Sequence, residues 1–91
     1  MKEEKIKSIE YSSKFLKSLS KLPNGIIKKA EEKEKIFKEN PFDPRLRTHK
    51  LKGKEKETRA FWINYDYRIK FIFFSDKEVL FIDVGTHEIY K

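Results

Sequence analysis

Cysteine is absent from the sequence, which excludes a disulfide framework and a thiolate metal site. Long apolar runs are also absent, because no stretch approaches the length of a membrane span. The first five residues are mostly charged and no apolar segment follows them, so a secretory signal peptide is not expected. These absences predict a soluble protein in a reducing cytoplasm.

Charge is abundant, with an excess of the positive sign. The 91 residues include 22 Lys and Arg against 15 Asp and Glu, which gives a formal net charge of +7 and a pI near 9.6. Such an excess favours a polyanionic partner through Coulomb attraction and counterion release. Composition alone leaves RNA, DNA, an anionic membrane and an acidic protein segment open.

Aromatic residues must supply much of the core. Eight Phe, four Tyr and one Trp stand in a chain of which only 37% is hydrophobic. A chain of this length makes one domain with a small core. We therefore expect residues 1–91 to form a single domain packed around a few large rings.

The N-terminal part of the chain predicts a strand followed by two helices. Residues 6–11 form the expected strand, and Ser12 or Ser13 then offers a hydroxyl that caps a helix. Apolar residues at helical spacing continue to Pro23, which ends this helix. Asn24 is expected to cap the second helix, which ends at the following Asn-Pro pair.

Three further strands are predicted, at residues 57–63, 67–74 and 79–84. The last is almost wholly apolar, which suits a central strand covered on both faces. Short turns connect the three, so they should pair antiparallel. The predicted fold is a two-layer α+β domain of element order β-α-α-β-β-β, with a helical hairpin covering one face of an antiparallel meander. Residues 41–56 show no periodicity and are the most basic stretch.

Five short motifs occur along the chain in an order and spacing that match those of a known protein family. Residues 9–17 read IEYSSKFLK, and residues 40–42 read NPF. The others are HKLKG at 49–53, DYRI at 66–69 and DVGTHEIY at 83–90. Together they resemble the RelE/ParE toxin superfamily along nearly the whole chain, and the last three resemble its YafQ-like and RelE/StbE-like ribonuclease branches. The resemblance implies the two-layer RelE-like fold.

The resemblance also implies a type II toxin–antitoxin function. Such toxins are ribosome-dependent endoribonucleases that cleave mRNA in the A site and are silenced by a cognate antitoxin protein. The ribose 2′-hydroxyl attacks the adjacent phosphate, and neither metal nor cofactor takes part. The enzyme must take the 2′-hydroxyl proton, stabilise the phosphate and protonate the leaving 5′-oxygen. The implied partners are the antitoxin and the ribosome with its mRNA, and not a membrane.

Two histidines match the proton-transfer positions of the YafQ-like pattern. His87 follows a buried strand and a glycine, and an imidazole exchanges protons near neutral pH. The resemblance makes it the catalytic acid or base, and the alternative is an exposed histidine without a task. His49 precedes the Lys-x-Gly turn and is the second candidate. A phosphate contact or a solvent-exposed role is its alternative.

Three more residues complete the expected catalytic set. Asp66 matches a functional carboxylate, and its alternative is a turn aspartate that bonds its own backbone. Tyr90 matches an aromatic that stacks on a base or steadies the 2′-hydroxyl, although it follows His87 by three residues where the pattern has four. Its alternative is a final aromatic packed against the sheet. Arg68 is expected to stabilise the crowded phosphate. Its structural alternative is an ion pair with Asp83 or Glu78.

The remaining site residues are expected to bind RNA. Trp62 stands where the YafQ branch has a histidine, so it stacks on a base rather than moving a proton, or it fills the groove beneath the helices. Arg59 is a second candidate for phosphate binding. Six basic residues of the middle segment are expected to grip an RNA backbone, with a solvated charge run as the alternative: Arg45, Arg47, Lys50, Lys52, Lys54 and Lys56.

Two rival functions share the expected fold. A ParE-like toxin would bind and poison DNA gyrase without nuclease chemistry. A degenerate toxin would bind only RNA or its antitoxin, a reading that Trp62 and the short C-terminus keep open. The set of His49, Asp66 and His87 favours the ribonuclease.

Overall fold

The structure, a computed structural model, describes residues 5–51 and 57–86 of the chain. Two α-helices and five strands lie in these ranges. In chain order they are β1 (Ser8–Tyr11), α1 (Ser13–Ser20), α2 (Asn24–Glu39), β2 (His49–Lys50), β3 (Arg59–Trp62), β4 (Tyr67–Ser75) and β5 (Glu78–Thr86). One turn of 3-10 helix, Pro44–Leu46, precedes β2. Neither α-helix in these ranges is long and apolar enough to cross a membrane.

The strands form one mixed sheet in the order β1-β5-β4-β3-β2. The predicted α+β class and the antiparallel pairing of β3, β4 and β5 are confirmed. The sheet differs from the expected meander at both edges, because β2 adds antiparallel to β3 and β1 adds parallel to β5. A parallel pair needs a long crossover connection, and α1 with α2 lies within it.

Aromatic rings form the centre of the core, as the composition predicts. Phe37 of α2 is fully buried and contacts one phenylalanine from each meander strand. Its ring centroid lies 4.8 Å from that of Phe61, 4.9 Å from Phe71 and 5.4 Å from Phe81. Each such contact contributes about 0.5–1.5 kcal/mol beyond the area that it buries. The second helix therefore packs on one face of the sheet, as expected.

The expectation that the last strand is covered on both faces is wrong. Phe81 of β5 is fully buried under the helices, and its ring contacts that of Phe15 in α1 at 5.3 Å. Leu80 and Ile82 alternate with Phe81 and are only half-buried. The apolar run therefore identifies this strand correctly, but only the face towards the helices is fully buried.

The two helices begin differently, and only the first begins as expected. Ser12 Oγ accepts a hydrogen bond from the Phe15 amide at 2.9 Å and donates one to the Ile82 carbonyl at 2.8 Å. The N-cap of α1 is thereby tied to β5. The expected cap of α2 is wrong, because Asn24 is its first residue and Pro23 occupies the N-cap position without a side-chain hydrogen bond.

Asp83 of β5 joins α1 to the sheet. Its carboxylate accepts a hydrogen bond from the Ser18 hydroxyl at 2.8 Å and from the Val84 amide at 2.9 Å. Lys14 Nζ lies 3.5 Å from the second oxygen. Because this 8% exposed carboxylate is satisfied by α1 and its own backbone, it is committed to packing.

The basic segment after α2 contains short ordered elements, so the expectation of an irregular segment is wrong for its described part. Asp43 Oδ1 accepts from the Arg45 amide at 2.9 Å and caps the 3-10 turn. The Thr48 hydroxyl donates to the Pro41 carbonyl at 2.6 Å, just before β2 begins. A strand of two residues is too short to show any periodicity, which is why the sequence concealed it.

Candidate active site on the sheet face away from the helices

The strand register shows which residues share a face. Paired residues of antiparallel strands point to the same side of the sheet. By this criterion one side carries His49, Ala60, Trp62, Arg68 and Lys70. Phe61 alternates with these residues and packs on Phe37, so their side lies away from the helices. We call it the site face.

Trp62 contacts two cations on the site face. The Arg68 Cζ lies 4.1 Å from its ring centroid, and the Arg47 Cζ lies 4.6 Å from it. The Tyr65 ring meets it edge-on, with centroids 5.7 Å apart. We call Arg47, Trp62 and Arg68 the stacked cluster. Trp62 therefore does not fill the groove beneath the helices, and that structural alternative is wrong.

Arg68 holds the backbone of the turn between β3 and β4. Its Nη1 donates to the Asn64 carbonyl at 3.1 Å and also to the Tyr65 carbonyl. Its residue surface is only 8% exposed, and its buried Nε has no hydrogen-bond partner among the described residues. The expected alternative of an ion pair with Asp83 or Glu78 is wrong. No carboxylate in the described ranges pairs with this guanidinium.

Asn64, rather than Asp66, builds the turn. The Asn64 Oδ1 accepts hydrogen bonds from the amides of Asp66 and Tyr67, each at 2.9 Å. The alternative in which the Asp66 side chain bonds its own backbone is therefore wrong. Asp66 is exposed, and its carboxylate has no recorded hydrogen bond or ion pair within the described chain. The turn thus presents this carboxylate at one end of the site face.

His49 is exposed on β2, and its ring is oriented by a backbone carbonyl. Its Nδ1 lies 2.9 Å from the Arg47 carbonyl oxygen. A carbonyl only accepts, so Nδ1 must carry the proton in this contact. The neutral ring then has an unprotonated Nε2, which is the nitrogen able to accept a proton. This geometry suits a general base.

Arg47 supplies that carbonyl from an unusual backbone conformation. Its φ of 54° and ψ of 40° lie in the left-handed region, the only positive φ of a non-glycine residue in the described ranges. An L-residue other than Gly, Asn or Asp adopts this region at a cost of about 1–2 kcal/mol. The conformation ends the 3-10 turn and lets one residue contact both His49 and Trp62.

Arg45, two residues earlier, is paired in a way that Arg47 is not. Its Nε and Nη2 donate to the two Asp43 carboxylate oxygens at 3.0 and 2.9 Å. These hydrogen bonds lower the pKa of Asp43 to about 2 and raise the pKa of Arg45. The charge of Arg45 is therefore neutralised locally, whereas no carboxylate within the described residues pairs with Arg47.

Lys50 and Arg59 lie apart from the site face. They pair with each other across β2 and β3 and are adjacent in sequence to the pair of His49 and Ala60, so their side chains point to the opposite face. The Arg59 Cζ lies 5.7 Å from the Phe42 ring centroid and 5.5 Å from that of Phe73. The structure therefore separates Arg59 from Arg68, although the two stand on adjacent strands.

Five expected site residues lie outside the described ranges: His87, Tyr90, Lys52, Lys54 and Lys56. The described chain ends at Thr86, which pairs with Tyr67, and Gly85 pairs with Arg68. The end of β5 thus lies beside the turn that carries Asp66. In the sequence, His87 is the next residue after Thr86.

Two residues of the site escaped the sequence reasoning. The Asn64 side chain accepts hydrogen bonds from two backbone amides of the turn, and Tyr65 is 74% exposed beside Trp62. The sequence places both residues only in the short turn between the strands predicted at 57–63 and 67–74. The available signal was an aromatic residue in a turn of three residues that directly follows the strand carrying Trp62, where its ring can reach the Trp62 ring.

The comparison with known proteins gives structural matches only. No protein-family model matches the chain, and no curated protein matches it in sequence. YafQ from Escherichia coli BL21(DE3) matches with a TM-score of 0.74 at 22% identity, over 89% of this chain and 93% of that one. A YoeB/ParE toxin from Agrobacterium tumefaciens gives 0.74 at 14%, over 89% and 99%.

A complex adds a third similar structure. The archaeal RelE–RelB complex from Pyrococcus horikoshii OT3 matches with a TM-score of 0.69 at 18% identity, over 87% of this chain and 92% of that one. At such identities the likeness concerns the fold. The chain has the fold of the RelE/ParE toxins, including YafQ, as the resemblance of its motifs implied.

Proposed function

We propose that this protein is the toxin of a type II toxin–antitoxin module and cleaves mRNA on the ribosome. The fold is that of such toxins, and the site face brings His49 to the same side of the sheet as Arg68, which with Arg47 contacts Trp62. The hydrogen bond of 2.9 Å between His49 Nδ1 and the Arg47 carbonyl carries the proposal. It leaves Nε2 basic and orients the ring before any substrate arrives.

His49 acts as the general base in the proposed reaction. Its Nε2 takes the proton of a ribose 2′-hydroxyl, whose oxygen forms a bond to the adjacent phosphorus. The bond from phosphorus to the 5′-oxygen breaks, and His87 gives a proton to that leaving oxygen. The products are a 2′,3′-cyclic phosphate and a 5′-hydroxyl. Exchange with water then returns both histidines to their starting protonation states.

Asp66 and Tyr90 assist this chemistry in the proposal. The Asp66 carboxylate stands at the turn beside the end of β5, where it orients the imidazole that follows Thr86 in the sequence. Tyr90 steadies the 2′-hydroxyl or stacks on a base. Arg68 acts from within the sheet, because its buried charge raises the positive potential of the site face.

Binding to the ribosome and the antitoxin completes the proposal. The remaining basic residues hold RNA backbone outside the reacting centre: Lys50, Lys52, Lys54, Lys56 and Arg59. An acidic segment of a cognate antitoxin would be attracted by the same charge and would exclude the RNA. Two of the similar structures are named as complexes of a toxin with such a protein.

The test is cleavage of a defined mRNA on purified ribosomes, read by primer extension. We expect the parent protein to produce discrete cuts, and His49→Ala to slow them about 100-fold or more while folding normally. His87→Ala should lose cleavage to a similar extent. Lys29→Ala, which removes one exposed charge from α2, is the control and should cut at the parent rate.

Three results would contradict the proposal. A His49→Ala protein that cuts as fast as the parent would remove the assigned base. Intact mRNA with the parent, together with DNA breaks and initially normal protein synthesis after induction, would assign the gyrase-poisoning function instead. Normal growth on strong induction of folded protein would leave only a binding protein.

A further inference from the structure

Three costly local features meet at Trp62. Two guanidinium groups stand against one indole ring, 4.1 and 4.6 Å from its centroid. The Nε of the buried Arg68 lacks a hydrogen-bond partner within the described residues. Arg47 reaches the ring from a left-handed backbone that costs about 1–2 kcal/mol. Such features persist together where the site has a use for them.

No carboxylate of residues 5–51 or 57–86 pairs with either cation of this cluster. Two like charges near one ring repel each other, and a buried cation without an anion loses its hydration. Cation–π contacts offset only about 0.5–2 kcal/mol each. Arg45, in the same 3-10 turn, is by contrast paired with an anion, because the Asp43 carboxylate accepts both hydrogen bonds of the Arg45 guanidinium. The stacked cluster lacks such an anion in the described part of the chain.

We propose that the stacked cluster is a subsite for a phosphodiester of single-stranded RNA, with Arg47 as its direct ligand. Trp62 fixes the plane of the Arg47 guanidinium, and the buried Arg68 adds positive potential. A planar guanidinium donates two parallel hydrogen bonds to phosphate oxygens. The inference deepens the proposed function and rests on it for the reaction that follows binding.

The subsite also couples binding to chemistry. The residue that binds the phosphate through its side chain holds His49 Nδ1 through its carbonyl oxygen at 2.9 Å. A phosphate on Arg47 is therefore presented beside the ring whose Nε2 accepts the proton. Arg47 is both a phosphate ligand and a positioning residue for the base. Trp62 replaces a proton-transfer group of the YafQ-like pattern because its task here is to order this guanidinium.

The backbone of Arg47 allows a clean variant. Arg47→Gly removes the guanidinium and keeps the left-handed conformation, because glycine adopts it without steric cost. The carbonyl that holds His49 is therefore retained. Arg45→Ala removes the same charge two residues away and suits its helical backbone. Lys29→Ala is the charge-matched control on α2.

The experiment measures binding of a 2′-O-methyl RNA trinucleotide, which cannot be cleaved, by calorimetry at low salt. We expect Arg47→Gly to weaken binding about tenfold or more, and Lys29→Ala to leave it within about twofold. Arg45→Ala should weaken it clearly less than Arg47→Gly. The slope of log K against log salt should fall by about 0.7 for Arg47→Gly, the value for one lost phosphate contact on a single strand.

The outcomes separate this inference from the proposed function. Equal losses for Arg47→Gly and Arg45→Ala, or no binding by the parent protein, would overturn the subsite even if ribosomal cleavage were intact. The expected difference in binding, with no cleavage by the parent on ribosomes, would keep the subsite and refute the nuclease. The cleavage pH profile adds a positioning readout: Arg47→Gly should lower the rate without moving the profile, because its carbonyl still holds His49.

Discussion

The two faces of the same strands are built on opposite principles. On the face covered by the helices, Phe61 and Phe71 are fully buried and contact each other and Phe37 of α2. The residues that alternate with them form the site face, where Trp62 contacts Arg47 and the buried Arg68, and no carboxylate in the described chain pairs with Arg68. Successive residues of one strand point to opposite faces, so the strand residues that stabilise the core alternate with those that serve the proposed function. Substitutions on the covered face should therefore lower stability, and substitutions on the site face should mainly lower activity.

Phe37→Ala tests the covered face. We expect it to lower the free energy of unfolding by about 3–5 kcal/mol, because it removes a ring at the centre of the aromatic core and leaves a cavity. Urea unfolding followed by circular dichroism measures the change. Phe74→Ala makes the same chemical change at a 55% exposed position of β4 and should stay within about 0.5 kcal/mol of the parent. Comparable losses for both would refute the assigned core.

Asn64→Ala sharpens the comparison at the turn of the site face. It removes the oxygen that accepts from two backbone amides at 2.9 Å, which costs about 1–2 kcal/mol. Because the turn carries Asp66 and is held by Arg68, cleavage should fall as well. Asn64→Asp keeps an accepting oxygen and should restore most of the stability in the same unfolding measurement. Equal stability of all three proteins would show that these bonds do not hold the turn.

Replacements at Arg47 should separate function from stability most clearly. Arg47→Gly loses a cation–π contact worth about 0.5–1 kcal/mol but relieves a left-handed backbone, so its stability should stay within about 1 kcal/mol of the parent. Arg47→Ala loses the same contact and keeps the strain. The glycine variant should therefore be the more stable of the two by about 1 kcal/mol. The reverse order in urea unfolding would contradict the conformation of this residue.

Asp43→Asn has the smallest expected effect, and it depends on pH. The hydrogen bonds from Arg45 lower the pKa of Asp43 from 3.8 to about 2. A lowered folded-state pKa means that its contribution is fully present above about pH 4 and is lost as the pH falls towards 2. The difference in Tm between parent and variant should therefore shrink over this range. A difference that does not change with pH would contradict the pairing.

The helices and strands that could be predicted from the sequence are those whose signals, such as caps, prolines and alternating apolar residues, lie within the element itself. The cap at Ser12, the helix that ends before Pro23 and the alternating strands before and after the 64–66 turn were all readable from spacing. The parallel pairing of β1 with β5 was not readable. Its partners, such as Ile9 and Val79, are distant in the chain, and nothing in either segment encodes the other.

The site was only partly predictable for a related reason. Residue types and motifs pointed to His49, Trp62 and Arg68, and the register brings these three to one face. The residues that these three side chains contact could not be predicted, because those contacts depend on backbone geometry that the spacing of residues in the sequence does not encode. The left-handed backbone of Arg47 and its two contacts arise only once the 3-10 turn packs beside β3.

The parallel edge of the sheet has a consequence for how the molecule is made. β1 and α1 are synthesised before β5, the last strand that the structure describes, and both contact it. Contacts between such distant segments form late and slow the folding of a chain. A growing polypeptide cannot pair β1 with its neighbour until β5 has been synthesised, so the first described strand waits without its partner while both helices and the strands β2 to β4 are made.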